Sequence, residues 1–212
     1  MVRIKICGIT KLEDAKLSAE LGADAVGLNF YPESPRSLSP FAAAELVRRL
    51  PPFVAPVGVF VNWTEEPIVA LCKALRLASA QLHGDESPQI VERVARSIPV
   101  IKALRLGEGS AAPEFARFRS VSAFLLDGAQ ASQYGGAGTT GNWHLARTAA
   151  QSQRIILAGG LSPDNVAEAI RIVRPYAVDV ASGVESRPGK KDPGKLHAFF
   201  AEVARANREL SS

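Results

Sequence analysis

The sequence predicts a single-domain α/β protein, a (β/α)8 barrel that occupies residues 1–212. Eight short apolar runs alternate with eight amphipathic, alanine-rich stretches, and no change of composition divides the chain. The runs recur roughly every 25 residues, which is the length of one strand–helix unit. A doubly wound parallel sheet is the competing architecture, but eight units with strands this short favour a closed barrel.

The eight apolar runs are the predicted strands, because they are short and bounded by turn and helix signals. They are Arg3–Cys7, Ala25–Phe30, Val54–Phe60, Ser79–Leu82, Val100–Leu104, Ala123–Asp127, Arg154–Ala158 and Ala177–Val180. Most of the helices open on Ser, Thr or Asp, whose side chains can accept from first-turn amides, often followed by Pro. These signals are a capping box from Thr10 to Glu13, then Ser39-Pro40, Thr64 to Pro67, Ser87-Pro88, Ser162-Pro163 and Asp192-Pro193.

The longest irregular stretches all follow predicted strands: Tyr31–Leu38, Asp127–Thr140 and Ser182–Lys191. The connections that lead into strands are short, as from Leu21 to Asp24. Loops that follow the strands of a parallel barrel meet at its carboxyl end, where such barrels place ligands and catalytic groups. The asymmetry therefore predicts that function is concentrated at this end.

Composition favours an ordinary globular protein with a small anionic ligand. Hydrophobic residues make up 47%, charged residues 22%, and the formal net charge is +4. Lys and Arg are spread over many predicted helices without interleaved aromatic residues, which disfavours nucleic acid as a partner. No apolar run has the length of a membrane span, and no signal peptide opens the chain, so we expect a cytoplasmic protein with no membrane partner.

Two candidate catalytic groups end predicted strands. Strand alternation turns Lys5 and Cys7 towards the barrel axis and Ile4 and Ile6 towards the helices. Cys7 could also be a small buried hydrophobe, because free cysteine is among the most buried residue types. Asp127 ends an apolar strand, where a carboxylate is costly unless it is paired, hydrogen-bonded or catalytic. We favour catalysis for Asp127, with a turn or cap as the alternative.

Three further features at the same end could bind a ligand. Arg36, in a loop stiffened by prolines and serines, could present its guanidinium to a carboxylate or phosphate, or could simply be solvated. The turns at Gly159-Gly160 and Ser182-Gly183 follow strands seven and eight, where barrels commonly hold a phosphate on backbone amides. His83 could be a general base, a ligand contact or a hydrogen-bonded residue at a strand end, and the last is favoured.

The remaining titratable groups have structural interpretations. Asp179 points inward from the eighth strand, which pairs with the first, and a buried charge needs a partner, so Lys5 is the expected one. Cys72 is expected to be a packing residue, and His144 and His197 to lie on the surface. No cluster of His, Cys, Asp and Glu has the spacing of metal ligands, so no metal is expected, and two cysteines make no disulfide framework.

Short motifs from one end of the chain to the other resemble the phosphoribosylanthranilate isomerase family, small barrel enzymes of tryptophan biosynthesis. Lys5-Ile-Cys-Gly-Ile-Thr10 is the most distinctive of them. The others are Ser34-Pro-Arg-Ser37, Val57-Gly-Val-Phe60, Gln81-Leu-His-Gly84, Leu126-Asp127, Gly135-Gly-Ala-Gly138, Leu157-Ala-Gly-Gly-Leu161 and Asp179-Val-Ala-Ser-Gly-Val-Glu-Ser186 followed by Pro188-Gly189 and Lys191-Asp192.

The resemblance implies an Amadori rearrangement of N-(5-phosphoribosyl)anthranilate with neither cofactor nor metal. It implies that Cys7 is the general base and Asp127 the general acid, and that Arg36 binds the anthranilate carboxylate. The loops after strands seven and eight would bind the phosphate of this small-molecule substrate. Monomer and homodimer are both compatible with the sequence.

One stretch departs from the family's usual pattern, in which Gly-Gly-Thr-Gly is followed after two residues by Phe-Asp-Trp. Here Ala137 replaces the threonine, and Gly141-Asn142 replace Phe-Asp before Trp143. We expect a more mobile loop, with an effect on substrate binding more than on the chemical step. Asn142 can still cap the next helix as Asp would.

Two alternatives remain at this point. Another sugar-phosphate isomerase or epimerase would be expected to show metal-binding histidines, or paired aspartates at the ends of strands one and five. Strand one ends in Cys7, and strand five reads Lys102-Ala103-Leu104, without an acid. A barrel that only binds a phosphorylated ligand would have no use for Cys7 together with Asp127.

Overall fold

The computed structural model describes residues 1–106, 115–128 and 143–211, and eight parallel strands close into one barrel. These are β1 (Arg3–Cys7), β2 (Ala25–Asn29), β3 (Ala55–Phe60), β4 (Ser79–Leu82), β5 (Val100–Arg105), β6 (Ala123–Asp127), β7 (Ile155–Ala158) and β8 (Ala177–Val180). Each strand pairs with the next, and β8 returns to β1 with Asp179 opposite Lys5. The closed barrel confirms the predicted fold class, because a doubly wound sheet would leave two edges unpaired.

Seven α-helices accompany the strands in the described ranges. They are α1 (Leu12–Glu20), α2 (Pro40–Val47), α3 (Glu65–Leu75), α4 (Pro88–Ala95), α5 (Trp143–Ala150), α6 (Val166–Val173) and α7 (Pro193–Ser211). None of these helices is long and apolar enough to cross a membrane.

Seven of the eight predicted helices lie in the described residues, and the stretch between β5 and β6, where the other is expected, is only partly described. Between β5 and β6, the described residues carry only a single 3-10 turn, Phe115–Arg117. The described segment from this turn to β6 is too short for more. Phe115 nevertheless packs edge-on against Phe124 of β6, with ring centroids 4.8 Å apart. The turn therefore covers part of β6.

Three of the predicted helix starts have the expected side-chain cap. Ser39, Ser87 and Asp192 accept hydrogen bonds from backbone amides in the first turns of α2, α4 and α7. Thr64 precedes α3 as expected, but its side chain makes no capping bond. These bonds satisfy amides that the first turn of a helix leaves without partners.

Two predicted starts are wrong in detail. Thr10 does not cap α1, because the helix begins at Leu12 and Lys11 occupies its N-cap position. The Thr10 hydroxyl instead donates to the carbonyl of Gly189, far along the chain. The Ser162-Pro163 signal opens a turn, in which the hydroxyl of Ser162 accepts from the amide of Asp164. Helix α6 begins only at Val166. In both places the hydroxyl bonds a backbone group outside the helix that follows.

The stretch Ser182–Lys191, predicted to be irregular, is ordered by local structure. It forms a 3-10 turn at Ser182–Val184 and a two-stranded antiparallel hairpin of β9 (Glu185–Arg187) and β10 (Lys190–Lys191). Gly189 takes a positive φ of 76° in the connection between the two strands, a conformation that favours glycine. The hairpin extends from the end of β8 over the carboxyl end of the barrel.

The barrel wall separates two apolar layers. Ile4 and Ile6 belong to the large layer between strands and helices. The interior holds a smaller apolar cluster, half of it alanine, namely Val57, Ile101, Ala103, Ala123, Leu125, Ile156, Ala158 and Ala177. This packed interior fills the barrel below the site. The polar inward-facing residues lie above it, at the carboxyl ends of the strands, where the loops meet.

Candidate active site

A cavity of about 580 Å³ opens at the carboxyl end of the barrel. The predicted site residues in its lining are Cys7, Arg36, His83, Asp127, Gly159, Gly160, Asp179 and Ser182. Lys5 lies one pleat below Cys7 and is buried, and Gly183 lies behind Ser182 in the 3-10 turn. The structure thus brings to one place side chains that are spread over most of the chain.

The Cys7 thiol packs against the backbone of Gly27, which has no side chain. A Cβ atom placed on Gly27 of the neighbouring strand β2 would lie 2.7 Å from Sγ of Cys7 and 3.2 Å from Nζ of Lys5. Any side chain at Gly27 would therefore displace the thiol or the amine. Below the thiol, Lys5 Nζ lies 2.8 Å from Asp179 Oδ1, and both side chains are buried. The expected partnership of Lys5 with Asp179 is present.

Opposing effects set the charge of the thiol. Burial raises the pKa of Cys7, since it penalises the thiolate, while the positive charges of Lys5 and Lys191 act in the opposite direction. For Lys5, burial favours the neutral amine, but attraction by Asp179 and by Cys7 outweighs it and raises the pKa. Lys5 therefore stays cationic beside the thiol.

Asp127 is buried at the end of β6, and His83 faces it from the end of β4. His83 Nε2 lies 3.3 Å from Asp127 Oδ2. The other ring nitrogen, Nδ1, lies 2.8 Å from Gln81 Nε2. With Nδ1 accepting from the Gln81 amide, the ring carries its proton on Nε2, where it can donate to the carboxylate. His83 is thus hydrogen-bonded at a strand end, and it also lines the cavity.

The loop that carries Arg36 is fixed from below by Asn29. The side-chain amide of Asn29 donates to the hydroxyl of Ser34 and its oxygen accepts from the Tyr31 amide. The same Ser34 hydroxyl accepts from the backbone amide of Arg36 at 3.2 Å. Side-chain bonds of this kind make a turn rigid without secondary structure.

The guanidinium of Arg36 is paired, so the alternative of a simply solvated arginine is wrong. Nε and Nη2 donate to the two carboxylate oxygens of Glu185, at 2.9 and 2.7 Å. The aliphatic part lies on Gly8, where a Cβ atom would overlap Cδ of Arg36. Hydrogen bonds from Arg36 and Lys191 outweigh the opposing effect of burial and lower the pKa of Glu185.

Lys191 is the second partner of Glu185, and sequence reasoning gave neither residue a role. Lys191 Nζ donates to Glu185 Oε1 at 3.0 Å and to the carbonyl oxygens of Cys7 and Ala181, at 2.6 and 3.1 Å. Both residues belong to the last family motif of the chain, between Asp179 and Asp192. That motif alone could have indicated a role for them, because Glu185 and Arg36 are 149 positions apart and no local pattern connects them.

The two glycine-bearing turns, after β7 and β8, lie against each other. Gly159 and Gly160 have positive φ angles of 81° and 65°. The Asn165 side chain donates to the carbonyl of Gly160, which ties this turn to the start of α6. At Gly183, a Cβ atom would overlap the carbonyl oxygen of Leu161. The loops after β7 and β8 are therefore in backbone contact.

A buried ion pair outside the barrel wall was also missed. Lys102 Nζ donates to Glu86 Oε2 at 2.7 Å and to the carbonyl of Gly84 at 2.7 Å. Glu86 in turn accepts from the amides of Gly84 and Asn62. The pair fixes the loop that follows His83. A lone lysine in an apolar strand was the available signal, but its partner could not be read.

Other predictions can be compared only with the described residues. Within them, no group of three or more His, Cys, Asp and Glu could hold a metal ion. Cys72 is fully buried, as predicted for packing, and burial raises its pKa to about 12. His144 and His197 are exposed as predicted. The departures at Ala137 and at Gly141-Asn142, and the motif from Gly135 to Gly138, lie outside the described residues.

Comparison with known proteins identifies what this arrangement is similar to. The family described as N-(5′-phosphoribosyl)anthranilate (PRA) isomerase matches residues 4–202. A relative from Pelobacter propionicus, named N-(5′-phosphoribosyl)anthranilate isomerase, is 49% identical over 212 residues, covering 100% of both chains.

Solved structures agree. The phosphoribosyl anthranilate isomerase of Thermus thermophilus has a TM-score of 0.87 and 46% identity, covering 96% of this chain and 99% of that one. An isomerase in complex with reduced 1-(o-carboxyphenylamino)-1-deoxyribulose 5-phosphate has a TM-score of 0.85 and 43% identity, covering 97% and 100%. A structure of monomers derived from the dimeric Thermotoga maritima enzyme has a TM-score of 0.84 and 41% identity, covering 97% and 100%.

Proposed function

Because the chain belongs to the N-(5′-phosphoribosyl)anthranilate isomerase family, we propose that Cys7 and Asp127 are the base and acid of that family's reaction. The protein is an isomerase of tryptophan biosynthesis. It rearranges N-(5-phosphoribosyl)anthranilate to 1-(2-carboxyphenylamino)-1-deoxyribulose 5-phosphate. The observation that carries the residue assignment is the shared cavity: a thiol at the end of β1 and a carboxyl group at the end of β6 both line it.

Asp127 acts first in this scheme, as the general acid. Its carboxyl group gives a proton to the furanose ring oxygen while the bond from C1′ to that oxygen breaks. The lone pair of the substrate's own nitrogen forms the Schiff base, so no cofactor is required. His83, hydrogen-bonded to Gln81, holds the carboxyl group in place, as an orienting partner does in acid–base sites.

Cys7 acts second, as the general base. Its thiolate takes the proton from C2′, and the electrons of that bond neutralise the iminium nitrogen to give an enolamine. Tautomerisation to the ketone completes the isomerisation. Lys5 beside the thiol supports the role of Cys7, because a fixed positive charge favours the thiolate that burial opposes.

Substrate binding is assigned to the two ends of the cavity. Arg36 binds the anthranilate carboxylate, for which its guanidinium retains N–H groups beyond those given to Glu185. Gly159, Gly160, Ser182 and Gly183 bind the phosphate, mainly through backbone amides. Left-handed glycines and the close contact of the two loops support this assignment, because they let backbone approach an anion closely.

We also propose cytoplasmic location and action on small molecules without nucleic acid. The biosynthetic reaction and two free thiols, Cys7 and Cys72, suit a reducing compartment. Monomer and homodimer remain the two proposed states. The dimeric Thermotoga maritima relative favours the second, and light scattering of the purified chain distinguishes them.

The proposed function is tested by following the fluorescence of phosphoribosylanthranilate, generated in situ because the compound is unstable. Cys7→Ala and Asp127→Asn should each lower kcat by about two to four orders of magnitude. Cys72→Ala makes the same chemical change outside the cavity and is the matched control, with kcat unchanged. Near-wild-type turnover in either site variant would refute that residue's role.

Arg36→Ala is expected to raise KM strongly, since the carboxylate then loses its charged partner. An unchanged KM would remove Arg36 from the carboxylate site. A wild-type chain that binds phosphorylated ligands without turnover would instead favour the binding barrel without catalysis. Turnover of other sugar phosphates, with none of phosphoribosylanthranilate, would favour a different isomerase or epimerase.

A further inference from the structure

We propose that Glu185 is a positioning residue for substrate specificity, which acts by orienting Arg36 towards an aromatic carboxylate, and that Lys191 keeps this site cationic. The proposal rests on the proposed function, in which Arg36 binds that carboxylate. It assigns a role to two buried residues of the β9–β10 hairpin that do not themselves line the cavity.

The pairing with Glu185 determines how the Arg36 guanidinium is oriented. An arginine has five N–H groups in one plane. Glu185 takes one from Nε and one from Nη2, in a bidentate pair at 2.9 and 2.7 Å. Such a pair fixes the plane and the direction of the group. The remaining edge, formed by Nη1 and the second hydrogen of Nη2, is a second fork of the size that a carboxylate accepts.

Lys191 balances the charge of Glu185. A carboxylate beside Arg36 would by itself cancel the cation and repel an anionic ligand. Lys191 prevents this, because its amine lies 3.0 Å from Glu185 Oε1 and is fully buried. Burial lowers the pKa of Lys191, while the ion pair with Glu185 opposes this effect. With the Lys191 amine protonated, the three groups together carry one net positive charge. The cluster is therefore both rigid and attractive to one anion.

Two lysines anchor Glu185 to the surrounding backbone. Lys191 also donates to the carbonyl of Cys7 at the end of β1 and to the carbonyl of Ala181 after β8. Lys195 donates to the carbonyl of Glu185 from the start of α7. The carboxylate that orients Arg36 is thus anchored to the strand end that carries Cys7. The distance between the carboxylate subsite and the thiol is held by the same few bonds.

The test compares two probes: the reduced product analogue 1-(o-carboxyphenylamino)-1-deoxyribulose 5-phosphate, and the same compound without the ortho carboxyl group. Calorimetry measures Kd of both for wild type and Glu185→Gln. We expect the Kd of the carboxylate-bearing probe to rise about tenfold in the variant, because one charge-assisted fork is lost. The decarboxylated probe should change less than about twofold, on the scale of a neutral surface change. KM for the substrate should rise while kcat changes little.

Several controls separate positioning from general damage. Glu20→Gln makes the same change at an exposed position at the end of α1, and both Kd values should stay at wild type. Glu185→Asp keeps the charge on a shorter arm and should weaken only the carboxylate-bearing probe, by less than Glu185→Gln does. It also serves if Glu185→Gln does not fold. In an Arg36→Ala background, Glu185→Gln should have little further effect, because the two act as a unit.

Three results would overturn the proposal. Equal weakening of both probes would mean that Glu185 only supports the hairpin. Tighter binding of the carboxylate-bearing probe would mean that Glu185 acts merely by repulsion. Additive losses in Arg36→Ala with Glu185→Gln would mean that it does not act through Arg36. A wild-type chain without turnover of phosphoribosylanthranilate is a different failure, that of the proposed function, and it is recognised before any variant is made.

Discussion

At Cys7 the thiol stands between a desolvated environment and two cations. Burial raises its pKa, and Lys5 and Lys191 oppose the rise. At neutral pH only a small fraction of the free enzyme carries the thiolate, so alkylation of Cys7 by iodoacetamide should become faster as pH rises towards and past the ordinary thiol range. Alkylation reports the thiol alone, whereas kcat/KM also depends on the protonated Asp127. A labelling rate that stays flat from pH 7 to 9 in stable protein would contradict a raised pKa of Cys7.

Lys5 gives this residue-scale prediction a second test. Lys5→Met removes a cation beside the thiol, so alkylation of Cys7 by iodoacetamide should be slower than in wild type at every pH below the thiol's pKa. Mass spectrometry of the alkylated peptides follows the reaction. Cys72 provides the internal control, because it is buried in the helical layer and should stay unlabelled while the protein is folded. Faster labelling of Cys7 in Lys5→Met would show that Lys5 does not favour the thiolate.

Among the elements, the helix starts differ in what their first residue does. The Ser39 hydroxyl accepts from the amide of Ala42, whereas Thr64 makes no side-chain bond at the start of α3. Ser39→Ala should therefore lower the free energy of unfolding by roughly 1 kcal/mol. Thr64→Ala, the matched control, should lower it by clearly less. Urea unfolding of both variants measures the difference, and equal losses would contradict the role of the Ser39 cap.

The strands could be predicted well because a barrel strand is recognised from its own residues, as a short apolar run between turn and helix signals. Four predicted strands, including Arg3–Cys7 and Ala123–Asp127, have the observed bounds, and the others differ by one residue at an end. Parity then gave the inward direction of Cys7 and the pairing of Lys5 with Asp179. Both follow from alternation and from the closure of β8 on β1.

The loops could not be predicted to the same depth, because their partners are distant in sequence. The capping box assigns Thr10 to its nearest helix, whereas its hydroxyl donates to the distant carbonyl of Gly189. The loop sequence predicts Arg36 as an anion ligand but does not indicate its protein partner, Glu185. Local sequence shows that a polar group needs a partner. It does not show which of the distant candidates the fold supplies.

For the whole molecule, the seam between the first and last strands contains the buried Lys5–Asp179 pair. Lys5 has a folded-state pKa above its ordinary value. A group whose pKa rises on folding contributes stability in full below its unfolded pKa and loses that contribution as pH rises through its folded pKa. This stabilisation should therefore be complete at neutral pH and should decline only above the ordinary lysine range.

Asp179→Asn is the corresponding variant, because it leaves the Lys5 cation buried without its partner. It should cost about 3–5 kcal/mol of unfolding free energy at pH 7. Guanidinium unfolding of wild type and variant from pH 7 to 11 measures the difference, which should narrow at the alkaline end. A difference that widens with pH would contradict the assigned charge state. Asp164→Asn, an exposed change of the same kind, is the control.

The missing side chain at Gly27 has a consequence for how this sequence can vary. Strand β2 touches no reacting atom at that position, yet even one methyl group there would collide with the Cys7 thiol. Strand propensity alone would predict that Gly27→Ala is harmless. We expect populations of randomly mutated genes, selected for tryptophan synthesis, to retain glycine at position 27. Such a result would show that Gly27, which takes no part in the reaction, tolerates replacement as poorly as Cys7 does.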